Sequence, residues 1–338
     1  MGHAEPQGYS VPAPADEALI KWPEALGTRF TVFVDTEEEF DWNGPFTRDR
    51  HATGAVAAIP AAHARFAAMG VPLAYMVDYP VVADPRAVDV LRDALADGVS
   101  TVGAQLHAWV TPPFDEPLDA RHSYAGNLSR DLEAAKLDTL TAALTAAFGR
   151  APLAYRAGRY GIGPNTLDLL AARGYRLDSS VRARYDYRGD GGPDFTGVGP
   201  HAYRCGPAGA LIELPLTTAF TGALKGQGSW LYPALGRLPR GRGVFARAGL
   251  LQRVALTPEQ MPANDAQEAV RVALGEGVQV LNFAFHSPSL EPGHTPYVRD
   301  AADLMRFWRW WDAMLAFLAK AGVTHVGIDA LIAAAGAS

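Results

Sequence analysis

Four acidic residues lie within five positions where an apolar stretch ends in TVFVDTEEEFDW, residues 31–42. The four are Asp35, Glu37, Glu38 and Glu39. Residues two apart on a strand project to the same side, so Asp35 pairs with Glu37, and Gln105 pairs with His107 in VGAQLHAWVTPPF. Two carboxylates and an imidazole within reach of one another can hold a divalent metal ion with open coordination positions. Such a site activates water for hydrolysis.

A simpler interpretation is available for each of these residues taken alone. An acid at the end of a strand is often a helix N-cap or a solvated loop residue. We expect Glu38 and Glu39 to be solvated or to pair with a local arginine, although either one can replace Glu37 as a ligand. His107 alone would be a hydrogen-bonded structural histidine, but its place beside Trp109 and a Pro-Pro loop favours a ligand.

A second histidine suited to proton transfer follows an apolar strand in FAFHSPSLEPGHTPY. Burial at the end of this strand and a neighbouring carboxylate would tune the pKa of His286 for general acid or base catalysis. Polar residues also follow four other apolar runs, namely Asp78, Arg156, Asp178 and Glu213. The carboxyl ends of the strands in a parallel barrel meet at one mouth, so these scattered residues are predicted to form one cluster.

The hydrophobic pattern supplies the parallel strands that such a cluster needs. Eight apolar, strand-like runs alternate with helix-like segments, and they span 30–35, 71–78, 99–107, 152–156, 175–181, 210–214, 278–286 and 323–328. Five predicted helices end at a glycine, at Gly70, Gly98, Gly174, Gly277 and Gly322. The alternation predicts parallel strands joined by crossover helices, and the number of strands favours an α/β barrel over an open doubly wound sheet.

One α/β domain over residues 30–335 accounts for this pattern, and residues 1–29 precede it as an N-terminal extension. Runs rich in glycine and proline, such as RGDGGPDF and RLPRGRG, break the alternation between residues 183 and 265. We interpret 183–265 as a loop-rich insertion over one face of the barrel, with the strand at 210–214 belonging to the barrel itself.

Composition narrows the class of protein. The chain has 338 residues, of which 49% are hydrophobic and 20% charged, and its formal net charge is −6. With only four lysines, it lacks the clustered cations of nucleic-acid-binding proteins, and the same charge balance argues against a membrane-surface protein. The sequence has no run of roughly 18 apolar residues and no basic, apolar leader, and its single cysteine, Cys205, fits a reducing compartment. We therefore expect a cytoplasmic protein without a transmembrane segment.

The segment DLMRFWRWWDAMLAFLAK, residues 303–320, is predicted to be an amphipathic helix. Its apolar stripe consists of Leu304, Phe307, Trp308, Trp311, Leu315 and Leu318. We expect this stripe to pack on the core and Trp310 to be exposed, where it would mark a subunit contact of a homo-oligomer.

The residues singled out above fall in five short blocks, which stand in the order found in polysaccharide deacetylases. The blocks are VDTEEEFDW, VGAQLHAWVTPPF, YRAGRYGIGPNTLDLLAARGY, LDSSV and FAFHSPSL. Over roughly residues 30 to 330 the chain resembles this family, which has the NodB homology domain and is also called carbohydrate esterase family 4. Within the family it looks like the WalW-like branch. The resemblance implies a distorted (β/α)7 barrel that hydrolyses N-acetyl groups of a glycan, polysaccharide or lipopolysaccharide precursor with a divalent metal ion.

The resemblance also implies a role for each matching residue. Asp35 matches the general base of the family, and Glu37 matches its metal-binding acid. Arg156 matches the arginine that orients the base, and Asp178 matches an acid of the supporting network. His286 matches the histidine that protonates the departing amine.

One block departs from the family pattern. The family offers two histidines to the metal in its second block, and Gln105 and Trp109 stand at those positions here. A variant of the group with His-x-His on the strand instead matches Gln105 and His107. Glutamine coordinates through its carbonyl oxygen, but it is a weaker ligand than imidazole for zinc. We expect Glu37, His107 and Gln105 to hold a divalent ion, Zn²⁺ by the resemblance, with an affinity that the glutamine lowers.

Trp109 and Tyr160 are predicted to stack on sugar faces, and Glu213 is predicted to bind the sugar. Two other functions remain open. One is a glycoside hydrolase with two carboxylates flanking the glycosidic bond. The candidate carboxylates are Asp35 or Glu37 with Asp178 or Glu213. The other is a non-catalytic carbohydrate-binding relative that has lost its metal.

Overall fold

The computed structural model describes residues 8–336, so the first seven residues of the predicted N-terminal extension lie outside the described range. Within it the strands are β1 (Arg29–Thr36), β2 (Leu73–Val77), β3 (Thr101–Leu106), β4 (Ala154–Ala157), β5 (Leu177–Asp178), β6 (Tyr203–Cys205), β7 (Leu211–Glu213), β8 (Thr218–Thr221), β9 (Gln252–Ala255), β10 (Val280–His286) and β11 (Thr324–His325). The α-helices are α1 (Ile59–Ala67), α2 (Tyr79–Ala83), α3 (Pro85–Leu95), α4 (Arg130–Phe148), α5 (Thr166–Ala172), α6 (Gly228–Leu235), α7 (Gly241–Arg247), α8 (Ala263–Gly275), α9 (Ala301–Lys320) and α10 (Ile328–Gly336). Each apolar run predicted as a strand contains one.

Seven strands form a curled parallel sheet in the order β10-β1-β2-β3-β4-β5-β7. β6 pairs antiparallel with β7 at the edge, and β11 pairs with β1. Hydrogen bonds cross the gap between β7 and β10: the Thr217 amide donates to the Asn282 carbonyl at 3.2 Å, and the Asn282 amide donates to Thr217 Oγ1 at 2.9 Å. The sheet is therefore a distorted (β/α)7 barrel, which confirms the predicted fold class.

The glycines predicted to end helices do so in the left-handed region of backbone conformation. Gly70 follows α1 with φ of 70°, and Gly277 follows α8 with φ of 86°. A side chain at such a position would be strained, whereas glycine adopts it freely and stops the helix. The glycines predicted to end helices thus lie at the turns between α1 and β2 and between α8 and β10.

Alternation along the strands sorts residues into two layers. Phe33, Met76 and Ile212 belong to a cluster that fills the barrel interior together with α10. Their neighbours Val34 and Tyr75 face outward and pack with the helices. Because successive side chains of a strand point to opposite faces, this parity also decides which polar residues at the strand ends face the mouth of the barrel.

The stretch 183–265, predicted to be loop-rich, contains regular elements as well as loops. β8 and β9 form a separate antiparallel pair, and α8 packs on β8. The N-terminal segment is attached to the same stretch, since the Val11 amide donates to the Asp194 carbonyl and the Ile20 amide to the Ala202 carbonyl, both at 3.0 Å.

The amphipathic helix α9 packs on the core, but one residue of it differs from the prediction. Trp310 is 5% exposed, and its Nε1 donates to the Met261 carbonyl at 2.9 Å. The expectation that Trp310 is exposed at a subunit contact is therefore wrong, because the segment after β9 covers it. No helix among residues 8–336 is long and apolar enough to cross a membrane.

Candidate active site

The carboxyl ends of the parallel strands open into a cavity of 460 Å³. Eight of the residues predicted from the sequence line it, namely Asp35, Glu37, Gln105, His107, Trp109, Arg156, Tyr160 and His286. Asp178 and Glu213 are not among its lining residues. The barrel thus brings together side chains that are up to 251 positions apart in the sequence.

Asp35 is held by a buried arginine inside the barrel. Its Oδ1 accepts a hydrogen bond from Arg156 Nη1 at 2.8 Å, and both side chains are almost completely buried. Arg156 also donates from Nη2 to Ser179 Oγ at 2.9 Å and lies 4.5 Å from the centre of the Phe33 ring. The guanidinium therefore has a fixed position, which orients the Asp35 carboxylate. Ser179 was not singled out from the sequence.

His286 faces Asp35 across the cavity and has a carboxylate partner of its own. Its Nε2 lies 3.8 Å from Asp35 Oδ2, and its Nδ1 lies 2.7 Å from Glu259 Oε2. Glu259 also accepts hydrogen bonds from the His286 amide at 3.0 Å and from Ser289 Oγ at 2.6 Å. Burial lowers the pKa of His286, but the charges of Glu259, Glu37 and Asp35 outweigh burial and raise the pKa to about 10. His286 is therefore protonated at neutral pH.

Glu259 is a site residue that sequence reasoning missed. A carboxylate neighbour of His286 was expected, but Glu259 lies in LTPEQM within the 183–265 stretch, outside any strand. No periodicity indicates where a side chain in such a segment points. Only the return of the chain from β9 to the barrel mouth brings Glu259 beside His286.

Three polar side chains, those of Glu37, Gln105 and His107, converge elsewhere in the cavity. His107 Nε2 and Gln105 Nε2 lie 3.4 Å and 3.5 Å from Glu37 Oε2. Glu37 Oε1 and Gln105 Oε1 are buried and have no hydrogen-bond partner among the described residues. Buried oxygens without partners are costly unless something binds them, so this arrangement fits a divalent cation held by Glu37, His107 and Gln105.

A second layer of acids fixes the orientation of His107. Glu38 Oε2 lies 2.7 Å from His107 Nδ1, and Glu38 Oε1 accepts from Trp109 Nε1 at 2.9 Å. The Glu38 amide donates to Asp78 Oδ2 at 2.8 Å, while Asp78 Oδ1 caps α2 at the Val81 amide. A carboxylate on Nδ1 leaves Nε2 to face the cavity, as in many metal sites. Glu38 is fully buried, so the expectation that it is solvated is wrong.

Glu38, Asp78 and His107 also form a buried group that could itself hold a metal ion. Burial and the Glu38 charge raise the pKa of Asp78 well above its ordinary value. Burial lowers the pKa of His107, but Glu38 and Glu37 raise it far more. The surrounding acids thus attract one positive charge, either a proton on His107 or a cation. Glu38 and Asp78 lie on the Nδ1 side of the imidazole and do not line the cavity. Glu37 and Gln105 lie on the Nε2 side, line the cavity and have oxygens without partners, so we place the cation on that side.

Glu39 is partly buried and paired rather than solvated. Its Oε2 lies 2.9 Å from His294 Nδ1, and its Oε1 accepts a hydrogen bond from the Ala55 amide. The partner is a histidine and a backbone amide, not the local arginine that was expected. Glu39 is absent from the cavity lining, so it is not positioned to replace Glu37 as a ligand.

Gly158 in the block YRAGRYG has a steric reason to be glycine. A Cβ atom at this position would lie 2.4 Å from His107 Cδ2 and 2.8 Å from the Leu106 carbonyl oxygen. The two residues that follow, Arg159 and Tyr160, both line the cavity with positive φ of 55° and 59°. Such strain in non-glycine residues is concentrated at functional sites.

Asp178 and Glu213 lie on the other side of the sheet. Leu177 and Ile212, the preceding residues, fill the barrel interior, so Asp178 and Glu213 point outward. Burial raises the pKa of Asp178 to about 6 and, with the Asp178 charge, raises that of Glu213. This geometry corrects the prediction that Glu213 binds sugar, and it excludes Asp178 from contact with the reacting atoms.

Asp178 has a supporting role at the neighbouring strand. Ser180 Oγ donates to Asp178 and accepts from the Ala157 amide at 2.8 Å, directly after Arg156.

Aromatic side chains form the walls of the cavity. The Trp109 ring stacks on the His107 ring at 4.3 Å, and the Trp42 ring lies 5.2 Å from the His286 ring. Tyr160 and Phe46 complete this wall. Flat apolar rings beside polar groups suit the faces of a sugar.

No protein-family model matches the chain, and no curated protein matches it. Among solved structures, a candidate polysaccharide deacetylase from Mycobacterium smegmatis aligns with a TM-score of 0.56 at 20% identity, covering 97% of this chain and 95% of that one. A mutant of a CE4 family pseudoenzyme aligns with a TM-score of 0.45 at 9% identity, covering 90% of this chain and 67% of that one. The chitin deacetylase of the fungal pathogen Colletotrichum lindemuthianum aligns with a TM-score of 0.32 at 17% identity, covering 52% of this chain and 61% of that one. The chain shares the fold of the first of these structures, a distorted (β/α)7 barrel.

Proposed function

We propose that this protein hydrolyses an N-acetyl group from a sugar in a glycan, polysaccharide or lipopolysaccharide precursor. One observation carries the proposal: Asp35 and His286 face each other at 3.8 Å in one cavity, each with its own buried partner of opposite charge. A base and an acid so placed, beside a set of cation ligands, are what amide hydrolysis needs.

Asp35 would act as the general base. Its Oδ2 faces His286 and the cavity, while Oδ1 is occupied by Arg156, so Oδ2 is the oxygen able to take a proton from water. The water oxygen then adds to the acetyl carbonyl carbon. Arg156 holds the carboxylate in place throughout and does not lose its own proton.

His286 would act as the general acid. It is protonated at neutral pH because Glu259 is bonded to Nδ1, and its Nε2 faces Asp35 Oδ2 in the cavity. As the bond between carbonyl carbon and nitrogen breaks, Nε2–H gives its proton to the departing amine. The products are acetate and a free amino sugar, and Glu259 stabilises the imidazolium until that step.

Glu37, His107 and Gln105 are the residues that would hold a divalent ion, which we propose to be Zn²⁺. When bound, such an ion polarises the acetyl carbonyl and lowers the pKa of water. Tyr160 and Trp42 would contact the sugar through their rings. Trp109 was also predicted to stack on a sugar, but it is 3% exposed and packs between His107 and Phe46, so its ring does not reach a sugar. Trp42 was not singled out from the sequence.

The same proposal includes membership of the polysaccharide deacetylase family, its WalW-like branch, and a cytoplasmic location. The order of the five sequence blocks supports the family. The free thiol of Cys205 fits a reducing compartment.

Release of acetate from a panel of N-acetylated oligosaccharides tests the proposal. The wild-type protein should release acetate, and His286→Ala should lower the rate by about 10²- to 10⁴-fold, the usual contribution of a general acid. His201→Ala is the matched control, because His201 bonds to the Glu276 carbonyl, before β10 and far from the cavity. Unchanged acetate release in His286→Ala would refute the assigned acid.

The alternatives give different products. A glycoside hydrolase would release reducing sugar without acetate, and its predicted partners Asp178 and Glu213 point away from the cavity. A non-catalytic binding protein would retain oligosaccharide on a column and release nothing.

A further inference from the structure

The part of the chain that leaves the barrel between β7 and β10 has an unusual charge. We call residues 218–255, from β8 through α6 and α7 to β9, the basic arm. It contains six cations, Lys225, Arg237, Arg240, Arg242, Arg247 and Arg253, and no aspartate, glutamate or histidine. The arm therefore has a net charge of +6 within a chain whose formal net charge is −6.

The cations of the basic arm are accessible. All except Arg253 are exposed, and none of the six forms an ion pair with a carboxylate of residues 8–336. Exposed arginines elsewhere, such as Arg86 and Arg150, do pair with carboxylates. Arg242 bonds instead to the Tyr232 carbonyl and stacks on its ring. Arg242 also acts on the Asp186 carboxylate, and Arg253 donates to the Arg184 carbonyl, so the charge left for an external partner is that of Lys225, Arg237, Arg240 and Arg247.

Large apolar side chains are exposed on the same arm. Trp230 is 64% exposed, Leu238 58% and Val244 55%, and these are three of the four most exposed large apolar residues among those described. They are not needed for the small core of the arm, which consists of Phe220, Leu235 and Leu251. Scattered apolar residues on a surface are ordinary, but a concentration of them marks an interaction site.

We propose that the basic arm docks on the surface of a bilayer that contains anionic lipids. Short helices with arginine and lysine beside exposed tryptophan, leucine and valine are typical of segments that lie in the membrane interface. The cations attract anionic headgroups, and the apolar side chains bury themselves between lipid headgroups and chains. A soluble polyanion would neutralise the cations but would leave Trp230, Leu238 and Val244 in water.

This proposal departs from the sequence-based expectation that the protein is unsuited to membrane surfaces, which rested on the net charge of the whole chain. Acids elsewhere outnumber the cations, whereas binding responds to local charge within about 10 Å, the Debye length at moderate salt. The arm leaves the barrel after Leu216 and returns at Thr257, and both residues line the cavity. If the proposed deacetylation holds, docking would bring the cavity near saccharides attached to lipid.

Co-sedimentation of the full chain with vesicles tests the docking without any activity assay. The protein should sediment with vesicles of phosphatidylglycerol and phosphatidylcholine in equal parts, and far less with phosphatidylcholine alone. The double variant Arg237→Glu/Arg240→Glu should bind at least about 25-fold more weakly, since two cations account for that factor at such a surface. The matched control is Arg86→Glu/Arg92→Glu on α3, which makes the same change in net charge.

A second variant separates a bilayer from a polyanion. Trp230→Ser/Leu238→Ser keeps every cation and changes only exposed residues, so it should fold normally, lose vesicle binding and keep any binding to heparin. Retention of vesicle binding by this variant would overturn the proposal in favour of a polyanion. Equal loss in the α3 control, or no preference for anionic vesicles, would overturn it as well. None of these outcomes depends on whether acetate is released.

Discussion

The buried pair of Asp35 and Arg156 allows a sharp test of how the candidate site is held together. Arg156→Met keeps the unbranched stem of the side chain but removes the guanidinium. The substitution breaks the 2.8 Å bond to Asp35, the 2.9 Å bond to Ser179 and the contact with the Phe33 ring. Ser179 keeps its bonds to Leu214 and Asn282, so the main loss falls on Asp35.

Removal of one partner from a buried ion pair destabilises a protein by about 3–5 kcal/mol, because the other charge remains buried without compensation. Asp35 borders the cavity, so we expect the lower end, about 3 kcal/mol. Arg150→Met is the matched control. Arg150 makes two bonds of 3.0 Å to Asp329, but their side chains are 54% and 48% exposed, so the loss should be about 1 kcal/mol or less.

Urea unfolding followed by tryptophan fluorescence measures both losses. With an m value of about 3 kcal/mol/M, the midpoint of Arg156→Met should fall by about 1 M. The double variant Asp35→Asn/Arg156→Met should recover at least half of the loss, because it leaves no buried charge unpaired. Equal losses for Arg156→Met and Arg150→Met, or no recovery in the double variant, would refute this account of the pair.

Two further predictions concern Gly158, beside His107, and Glu133, a buried acid of α4. Gly158→Ala should lower the metal content retained after dialysis by about 10-fold or more, because the new Cβ would displace His107. Gly275→Ala is the control: a Cβ at Gly275 has no atom within 4 Å, so the metal content should be unchanged. Glu133, buried in α4 with Oε2 unpaired, has a pKa that burial raises from 4.5 to about 7. The folded state therefore binds its proton more tightly than the unfolded state, and wild-type stability should fall as pH rises from 4.5 through about 7. Glu133→Gln should remove this fall, and at pH 8 its free energy of unfolding should exceed that of the wild type by on the order of 3 kcal/mol. If the unfolding free energies of the variant and the wild type ran parallel against pH, the assignment would be contradicted.

The sequence determined the fold and eight of the side chains that line the cavity. Apolar runs and helix-ending glycines are local signals, so each predicted strand contains a real one, and Gly70 and Gly277 adopt the required backbone conformation. The alternation of side chains correctly placed Asp35 with Glu37 on the face that lines the cavity. These successes share one reason: side-chain direction in a regular element is fixed by its period of two or 3.6 residues.

Other features were decided by the tertiary structure alone. Glu259 reaches His286 from an irregular segment, and the burial of Glu38 follows from the position of Asp78 and His107. β5 is only two residues long, too short for its period to show that Asp178 faces outward. The exposure of the cations of the basic arm was likewise decided by the tertiary structure, because it depends on which elements pack around the arm. Contacts between distant segments have no local sequence signal, since they arise when the barrel closes.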